Sequence, residues 1–568
     1  MSHDGRLLRT AVLVVVGLGL IAPIAIGLWQ TGRAAFGILP ALGQDMVSLG
    51  PWHELADLPG FATSLRLTLV TGIGSTLLSL VLATGFCATV HARMNTSAGA
   101  RMLTPFLAIP HAAMAVGLAF VLAPSGWIAR MIAPLAGWDR PPDIATVSDG
   151  WGLALTLGLM IKEVPFLLLV ILSALSQIPV ARHMAAGRAL GYGRGIVWIK
   201  MIMPQVWPLI RLPVWVVLAY GLSVVDMAII LGPSNPPTLA VAVTRWFSDP
   251  DPLMILPASA GAILQAVIVG LAVAMLMVAE AAVKRLGRWW IRRGGRGSSA
   301  EPGLWAASAV VMALMAVGAL AMVSLVVWSM AWRWSFPQLL PESWSLKPWS
   351  SAQDGWMRAL SNTLLLAGAT VGLSLGLAIA WLEGEDRARR SRAPWAEALI
   401  YLPLLIPQIG FLYGLNVGFL QIGLSGGITA VIWAQALFVF PYVMIALSDP
   451  WRALDPRMIR AAAALGAGPG RRLWAVKLPV LIRPILTAAA IGVSVSVAQY
   501  LPTLFMGAGR IATLTTEAVT LSSGSDRRVT GVYATLQAGL PFAAYLAAFL
   551  IPAILHRNRR ALSGASAT

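Results

Sequence analysis

Twelve runs of about twenty apolar residues, at 9–30, 67–90, 102–124, 151–175, 212–232, 256–281, 304–330, 359–382, 396–419, 427–447, 484–507 and 532–555, leave this 568-residue chain few folds to choose from. A run of that length, wound as a helix at about 1.5 Å per residue, crosses the roughly 30 Å hydrocarbon core of a bilayer. It also satisfies its own backbone N–H and C=O groups where no water can. Charged residues make up 11% of the chain, hydrophobic residues 58%, and the mean hydropathy is +0.77; soluble domains carry roughly 25% charge. The expected fold is an all-α polytopic membrane protein. The first run is longer than the 7 to 15 residues of a signal-peptide core and no Ala-x-Ala site follows it cleanly, so it reads as an uncleaved span. Cys87 is the one cysteine and lies inside a run, which rules out an intrachain disulfide.

A net charge of +18 would suit a nucleic-acid partner if it formed one surface, but it follows the spans instead. With the N-terminus inside, 29 of the 41 basic residues fall in inner segments and 11 in outer loops, and Lys162 lies within a run. That bias predicts both termini on the cytoplasmic side and the Asp249-Pro250-Asp251 loop outside. The partner of this charge is then the anionic inner leaflet, and no nucleic acid is expected. Between the sixth and seventh runs, residues 284–303 combine Trp289-Trp290 among arginines, an interfacial anchor, with a Gly/Ser-rich end that reads as a linker.

The chain repeats itself. Residues 185–204 and 460–479, set together at a shift of 275, share Ala186/Ala461, Ala189/Ala464, Leu190/Leu465, Gly191/Gly466, Gly193/Gly468, Gly195/Gly470 and Pro204/Pro479 without a gap. The register continues through Gly232/Gly507 and Thr238-Leu239/Thr513-Leu514. A second anchor pairs Ser64 to Leu69 with Ala359 to Leu364 at a shift of 295, the difference falling in a longer third outer loop, about 124–150 against 421–427. Six spans per half is an even number, so the halves enter the membrane alike, as parallel repeats about an axis along its normal.

In both windows a glycine stands six residues after position 185 or 460 and a proline thirteen residues beyond that glycine. This spacing resembles the EAA loop of ABC importer permeases, and the resemblance covers most of the chain. It implies the type I ABC importer permease fold in two halves, 1–283 and 304–568, joined by 284–303. It further implies that the loops 180–207 and 450–482 each form two short helices about the glycine and dock on a cytoplasmic ATPase through Ala185, Ala186, Gly191 and Pro204, and through Arg460, Ala461, Ala462, Gly466 and Pro479. Ala185 and Arg460 stand where the family has glutamate. The implied partners are two copies of the ATPase and a periplasmic solute-binding protein, at the inner membrane of a Gram-negative cell. ATP would close the ATPase pair and tilt the halves to open the cavity outward. The second-half stretches 499–504 (Gln-Tyr-Leu-Pro-Thr-Leu) and 513–517 (Thr-Leu-Thr-Thr-Glu) are similar to fused permeases of the iron(III) and thiamine type, the thiamine subgroup above all.

The chain itself carries no ATP-binding loop of the Gly-x-x-x-x-Gly-Lys-Ser/Thr kind, because none of its five lysines follows a glycine. ATP is therefore expected to be hydrolysed by partner subunits, with no cofactor or metal held here; six scattered histidines show no ligand spacing and no Gly-x-Ser-x-Gly occurs. Ionisable groups within spans cost about 2.5 to 3.5 kcal/mol each and invite a functional reading. Lys162 and Glu163 before Pro165, Asp226 opposite Leu501 of the repeat, and Gln499 are the candidates for a translocation path; Gln265, Gln408 and Gln435 read first as interhelical hydrogen-bond partners. Neighbours on a helix point about 100° apart, so Lys162 and Glu163 neutralise each other only in part. So few acids suit a small organic solute, thiamine or a related cation by the resemblance, better than free ferric ion, which calls for hard oxygen ligands. The alternatives are an ion-coupled secondary transporter with parallel six-helix repeats, which needs midplane carboxylates, and a polytopic membrane enzyme, which needs a catalytic cluster.

Overall fold

Helix follows apolar run almost throughout the computed structural model, which describes residues 3–94, 97–293, 301–388, 394–524 and 526–555. The Gly/Ser end of the linker, 294–299, and the basic cluster at 557–560 lie outside these residues. In order come α1 (His3–Val16), α2 (Ala22–Ala35), α3 (Gly50–Asp57), α4 (Phe61–Met94), α5 (Ser97–Ala108), α6 (His111–Leu122), α7 (Trp127–Ala136) and α8 (Leu153–Leu175). Then follow α9 (Val180–Ala189), α10 (Arg194–Val197), α11 (Met203–Ser223), α12 (Asp226–Leu231), α13 (Leu239–Trp246) and α14 (Ile255–Arg292). The sequence then runs again through the same forms. After α15 (Glu301–Met330) a short antiparallel hairpin, β1 (Ala331–Arg333) with β2 (Ser343–Trp344), leads to α16 (Lys347–Ser351) and α17 (Gln353–Ala388). Next are α18 (Pro394–Tyr401), α19 (Gln408–Gln421), α20 (Ile428–Arg452), α21 (Pro456–Ala464), α22 (Pro469–Arg472) and α23 (Leu478–Val480). The last are α24 (Ile482–Ala498), α25 (Leu501–Gly507), α26 (Leu514–Ser522) and α27 (Arg527–Leu555).

Ten helices are long and apolar enough to span a membrane, or twelve when each of two bent pairs counts as one span, among the described residues. The protein is an all-α, membrane-spanning chain. Several expected spans are not single helices. The runs at 212–232 and 484–507 each hold a helix end, a break and a short second helix, because Val224 (ψ 135°) and Gln499 (ψ 105°) leave the helical region. The run at 102–124 is broken as well: Pro110 cannot continue the hydrogen-bond ladder, so α5 stops and α6 begins at His111. Pro407 acts likewise before Gln408, where the helices on either side are bent by 94°. The twenty residues by which the two registers differ are taken up by α7 and the coil after it.

The two sequence anchors of each half meet in space, and in the same way twice. The Thr68 hydroxyl donates to the carbonyl of Ser64, one turn back on α4, and accepts from the backbone N–H of Leu239 at the start of α13, at 2.9 and 2.8 Å. Thr363 on α17 donates to Ala359 and accepts from Leu514 at the start of α26, at 2.7 and 3.0 Å. Each threonine thus satisfies a helix N-terminal donor that would otherwise be orphaned in a dry interior.

The first helices cross over. α1 and α2 pack on α17 and α19 of the second half, while α15 packs on α4 and α6 of the first. Glycine makes the crossings possible. A Cβ on Gly414 of α19 would stand 2.0 Å from the Gly27 carbonyl of α2, and one on Gly117 of α6 would stand 2.4 Å from the Ala321 carbonyl of α15. Small residues at such contacts let backbones approach where lipid supplies no hydrophobic drive. Hydrogen bonds close both crossings: Ser324 donates to Gly117 at 3.0 Å, and Gly414 donates to the Thr31 hydroxyl at 3.2 Å.

Candidate functional site

Both repeated windows form exposed loops of one design. In the first, α9 ends in a Schellman turn: Gly191 has φ +77°, its N–H donates to Arg188 at 2.9 Å, and the Tyr192 N–H reaches back to Gly187 at 3.0 Å. In the second, Gly466 has φ +81°, donating to Ala463 at 3.0 Å, and Ala467 reaches Ala462 at 3.0 Å. Only glycine takes that left-handed conformation without a Cβ penalty. A short helix follows, α10 or α22, and then five residues of wide π-helix, Trp198–Ile202 and Leu473–Lys477, which coincide at the 275-residue shift. Pro204 and Pro479 lie in the next turn, where a missing N–H costs least. Ala185, Ala186, Arg460 and Ala461 are exposed, Ala462 half-buried. So are apolar residues at matched positions: Leu190 and Leu465 are 60% and 88% accessible, Ile199 and Trp474 53% and 73%.

What holds the loops differs. In the first, the Lys200 ammonium lies over the rings of Tyr192 (5.2 Å) and Trp290 of α14 (4.3 Å), and Ile202 is buried among apolar neighbours. Position 202 becomes Lys477 in the repeat, 5% exposed, where Nζ contacts Glu383 Oε2 at 2.6 Å and Asp386 Oδ2 at 2.5 Å at the end of α17. Arg452, where α20 enters the loop, bridges Glu385 at 3.0 Å and Glu397 of α18 at 2.8 Å. The indoles of Trp451 and Trp381 donate to Asp386 and Glu385, each at 3.0 Å, and Arg387 pairs with Glu383 at 2.7 Å. Sequence reasoning passed over this cluster. Its signal was the acidic run Glu383-Gly384-Glu385-Asp386 on the side of the molecule that carries the basic loops, in a chain with only 23 acids.

The four expected path residues are all buried but are not joined to one another by any hydrogen bond or ion pair among the described residues. Lys162 donates to the carbonyls of Phe106 and Ile109, both at 2.7 Å. It thereby caps the end of α5 at the proline break, as a cation at a helix C-terminus should. Glu163 turns the other way and accepts from Ser75 of α4 at 3.3 Å, leaving Oε2 without a partner. Asp226, at the start of α12, accepts from the Tyr220 hydroxyl at 3.4 Å, and the Tyr220 ring lies 4.5 Å from that of His111. Gln499 sits at the matching break in the second half with its side-chain oxygen unpartnered.

Gln435, Gln265 and Gln537 make interhelical bonds. Gln435 joins Ser496 (2.6 Å) and Thr503 (3.0 Å), and Gln265 donates to the carbonyl of Leu222 at 2.9 Å. Gln537 reaches the equivalent carbonyl, that of Val497, through the Thr515 hydroxyl.

Comparison with known proteins agrees with this architecture. Residues 372–557 match the family described as binding-protein-dependent transport system inner membrane component. The inner membrane ABC transporter permease protein YnjC of Escherichia coli (strain K12) is 31% identical over 504 residues, 89% of this chain and 90% of its own. The molybdenum transport system permease protein ModB of Mycobacterium bovis is 28% identical over 182 residues, 30% of this chain and 67% of its own. ModB of Azotobacter vinelandii is 28% identical over 166 residues, 27% of this chain and 73% of its own. With likeness to YnjC running through nearly the whole of both chains, and a twice-built loop on a span-rich scaffold, this chain belongs to the inner-membrane permeases of ABC transporters.

Proposed function

We propose that this chain is both halves of an ABC importer's permease in one polypeptide, 1–283 and 304–568 joined by 284–303, with the loops 180–207 and 450–482 each receiving one of two cytoplasmic ATPase subunits. The observation that carries the reading is the repeated loop: a helix, a left-handed glycine, a short helix and a π-turn in one register, with apolar Leu190/Leu465 and Ile199/Trp474 held out to solvent. Exposed apolar residues at matched positions are what a docking partner would cover. ATP is hydrolysed by those subunits, a solute-binding protein delivers from the periplasm, and both termini are cytoplasmic. Co-purification tests the core of this: the ATPase should accompany the wild type, and Gly191→Val with Gly466→Val should insert normally yet lose it. Full transport by that double variant would exclude the loops as the docking sites.

The solute is a small organic cation of the thiamine kind. Support comes from the His111, Tyr220 and Asp226 group at the break between α11 and α12, an acid beside aromatic faces, which is the usual way to hold an organic cation. Lys162 belongs to the α5 cap and drops out of the path. Labelled thiamine should enter proteoliposomes containing the permease, ATPase and binding protein when ATP is supplied. Uptake of iron in its place would refute the assignment.

A further inference from the structure

The chain leaves the two loops by different routes. After the first, residues 194–223 form one helix of 30 residues; after the second, Pro469–Val480 and Ile482–Ala498 are bent by 75°. The break is at Leu481 (φ −91°, ψ 11°), and Pro484 explains it, since it has no N–H for the carbonyl of Val480 and crowds that oxygen. Pro208 and Pro213 lie within α11 without breaking it to that degree. An unbroken helix carries a rotation along its length. A helix broken at a proline lacks the backbone hydrogen bonds that would pass that rotation across the break.

On the loop side of this joint sits the ion cluster. Arg452 and Trp451 stand where the chain enters the second loop, Lys477 where it leaves, and both ends are fastened to Glu383, Glu385 and Asp386 of α17 and to Glu397 of α18. The equivalents of Glu383 and Glu385 in the first half are Ala88 and Val90, and those of Arg452 and Lys477 are Gln177 and Ile202. So the half with the continuous helix lacks the cluster, and the half with the joint has it.

We infer that the second loop works through a lateral route: its displacement passes through Lys477 and Arg452 to α17 and α18, and not along α24. Lys477 is the positioning residue. Buried, multiply paired charges suit this role, because separating them leaves uncompensated charge in a dry site and so the contact moves as a unit or not at all. The inference rests on the proposal that the loops receive the ATPases.

The test uses spin-label distances in the full complex purified with its ATPase, comparing nucleotide-free and ATP-vanadate states. Labels at Ala463→Cys and Trp395→Cys report loop to α18; labels at Ala463→Cys and Thr487→Cys report loop to α24. The first distance should stay fixed while the second changes. In Lys477→Ile with Glu383→Ala, the residues of the first half, the first distance should change as well, and Lys477→Arg alone should keep it fixed. A loop-to-α18 distance that changes in the wild type while loop-to-α24 holds would overturn the inference, and this arm needs no change to the cluster. Cross-linking from Ala463→Cys to the ATPase separates the two claims. No cross-link sinks docking and lateral route together; a cross-link with the reversed distances sinks the route alone.

Discussion

Ile202 and Lys477 occupy one place in two turns of one shape, each the last residue of a π-helix before a proline. Around Ile202 the chain packs hydrocarbon and lays one lysine on two aromatic rings; around Lys477 and Arg452 it gathers four acids and two indoles. The backbone of a duplicated unit is held by its turn chemistry, glycine and proline at fixed intervals, and that chemistry recurs. The side chains that fasten it are free to follow whatever stiffness the neighbouring helix has. Where the helix runs on, apolar packing is enough; where it bends at Leu481, charge is added.

The contrast can be broken most sharply at its centre. Lys477→Met should destabilise the protein by about 3–5 kcal/mol, the cost of stranding buried carboxylates, at the lower end because Asp386 is 44% accessible and partly screened. Ile202→Met, a volume-conserving exchange, should cost under about 1.5 kcal/mol. Thermal unfolding in detergent reads both; equal losses would mean that the two sites are not held differently. Next in size, Ile202→Lys should be severe alone, by roughly 3 kcal/mol or more, and be partly rescued by Ala88→Glu if the halves are true structural equivalents. Failure of that rescue would place Ala88 and Glu383 out of register. A smaller and symmetric effect is expected from Gly191→Ala and Gly466→Ala, about 1–2 kcal/mol each for a Cβ in the left-handed region. Unequal losses would show that the turns themselves have diverged. The least is Lys200→Ala, about 0.5–1 kcal/mol for a half-buried cation over aromatic rings, measurable as faster hydrogen exchange in α10.

Much of the fold could be read in advance because membranes enforce it. Length and hydropathy placed the spans, and the two registers, 295 for Thr68/Thr363 and 275 for Leu239/Leu514, anticipated the positions that meet in the matched threonine hydrogen bonds. Breaks within spans were less legible: Pro110 and Pro407 announce theirs directly, but Val224 and Gln499 are ordinary residues that carry no such mark themselves. The site divided in the same manner. Gly191 and Gly466 are legible since glycine alone takes φ near +80° without a Cβ penalty. Lys162 beside Glu163 invited a paired reading, and the structure sends one to the α5 carbonyls and the other to Ser75, because partners on other helices cannot be seen along the chain. The Lys477 cluster joins residues up to 94 positions apart, and its acids sit in a stretch that resembles any solvated helix end.

The crossed first helices bear on assembly. Since α1 and α2 lie against α17 and α19, and α15 against α4 and α6, each half clasps the other with a limb of its own. Two separately translated polypeptides, divided between Arg293 and Glu301, would meet with those limbs already reaching across, and cutting the finished protein there would not release either piece. On the proposed two-half reading, the covalent join has its consequence during synthesis, when it guarantees equal numbers of unlike partners.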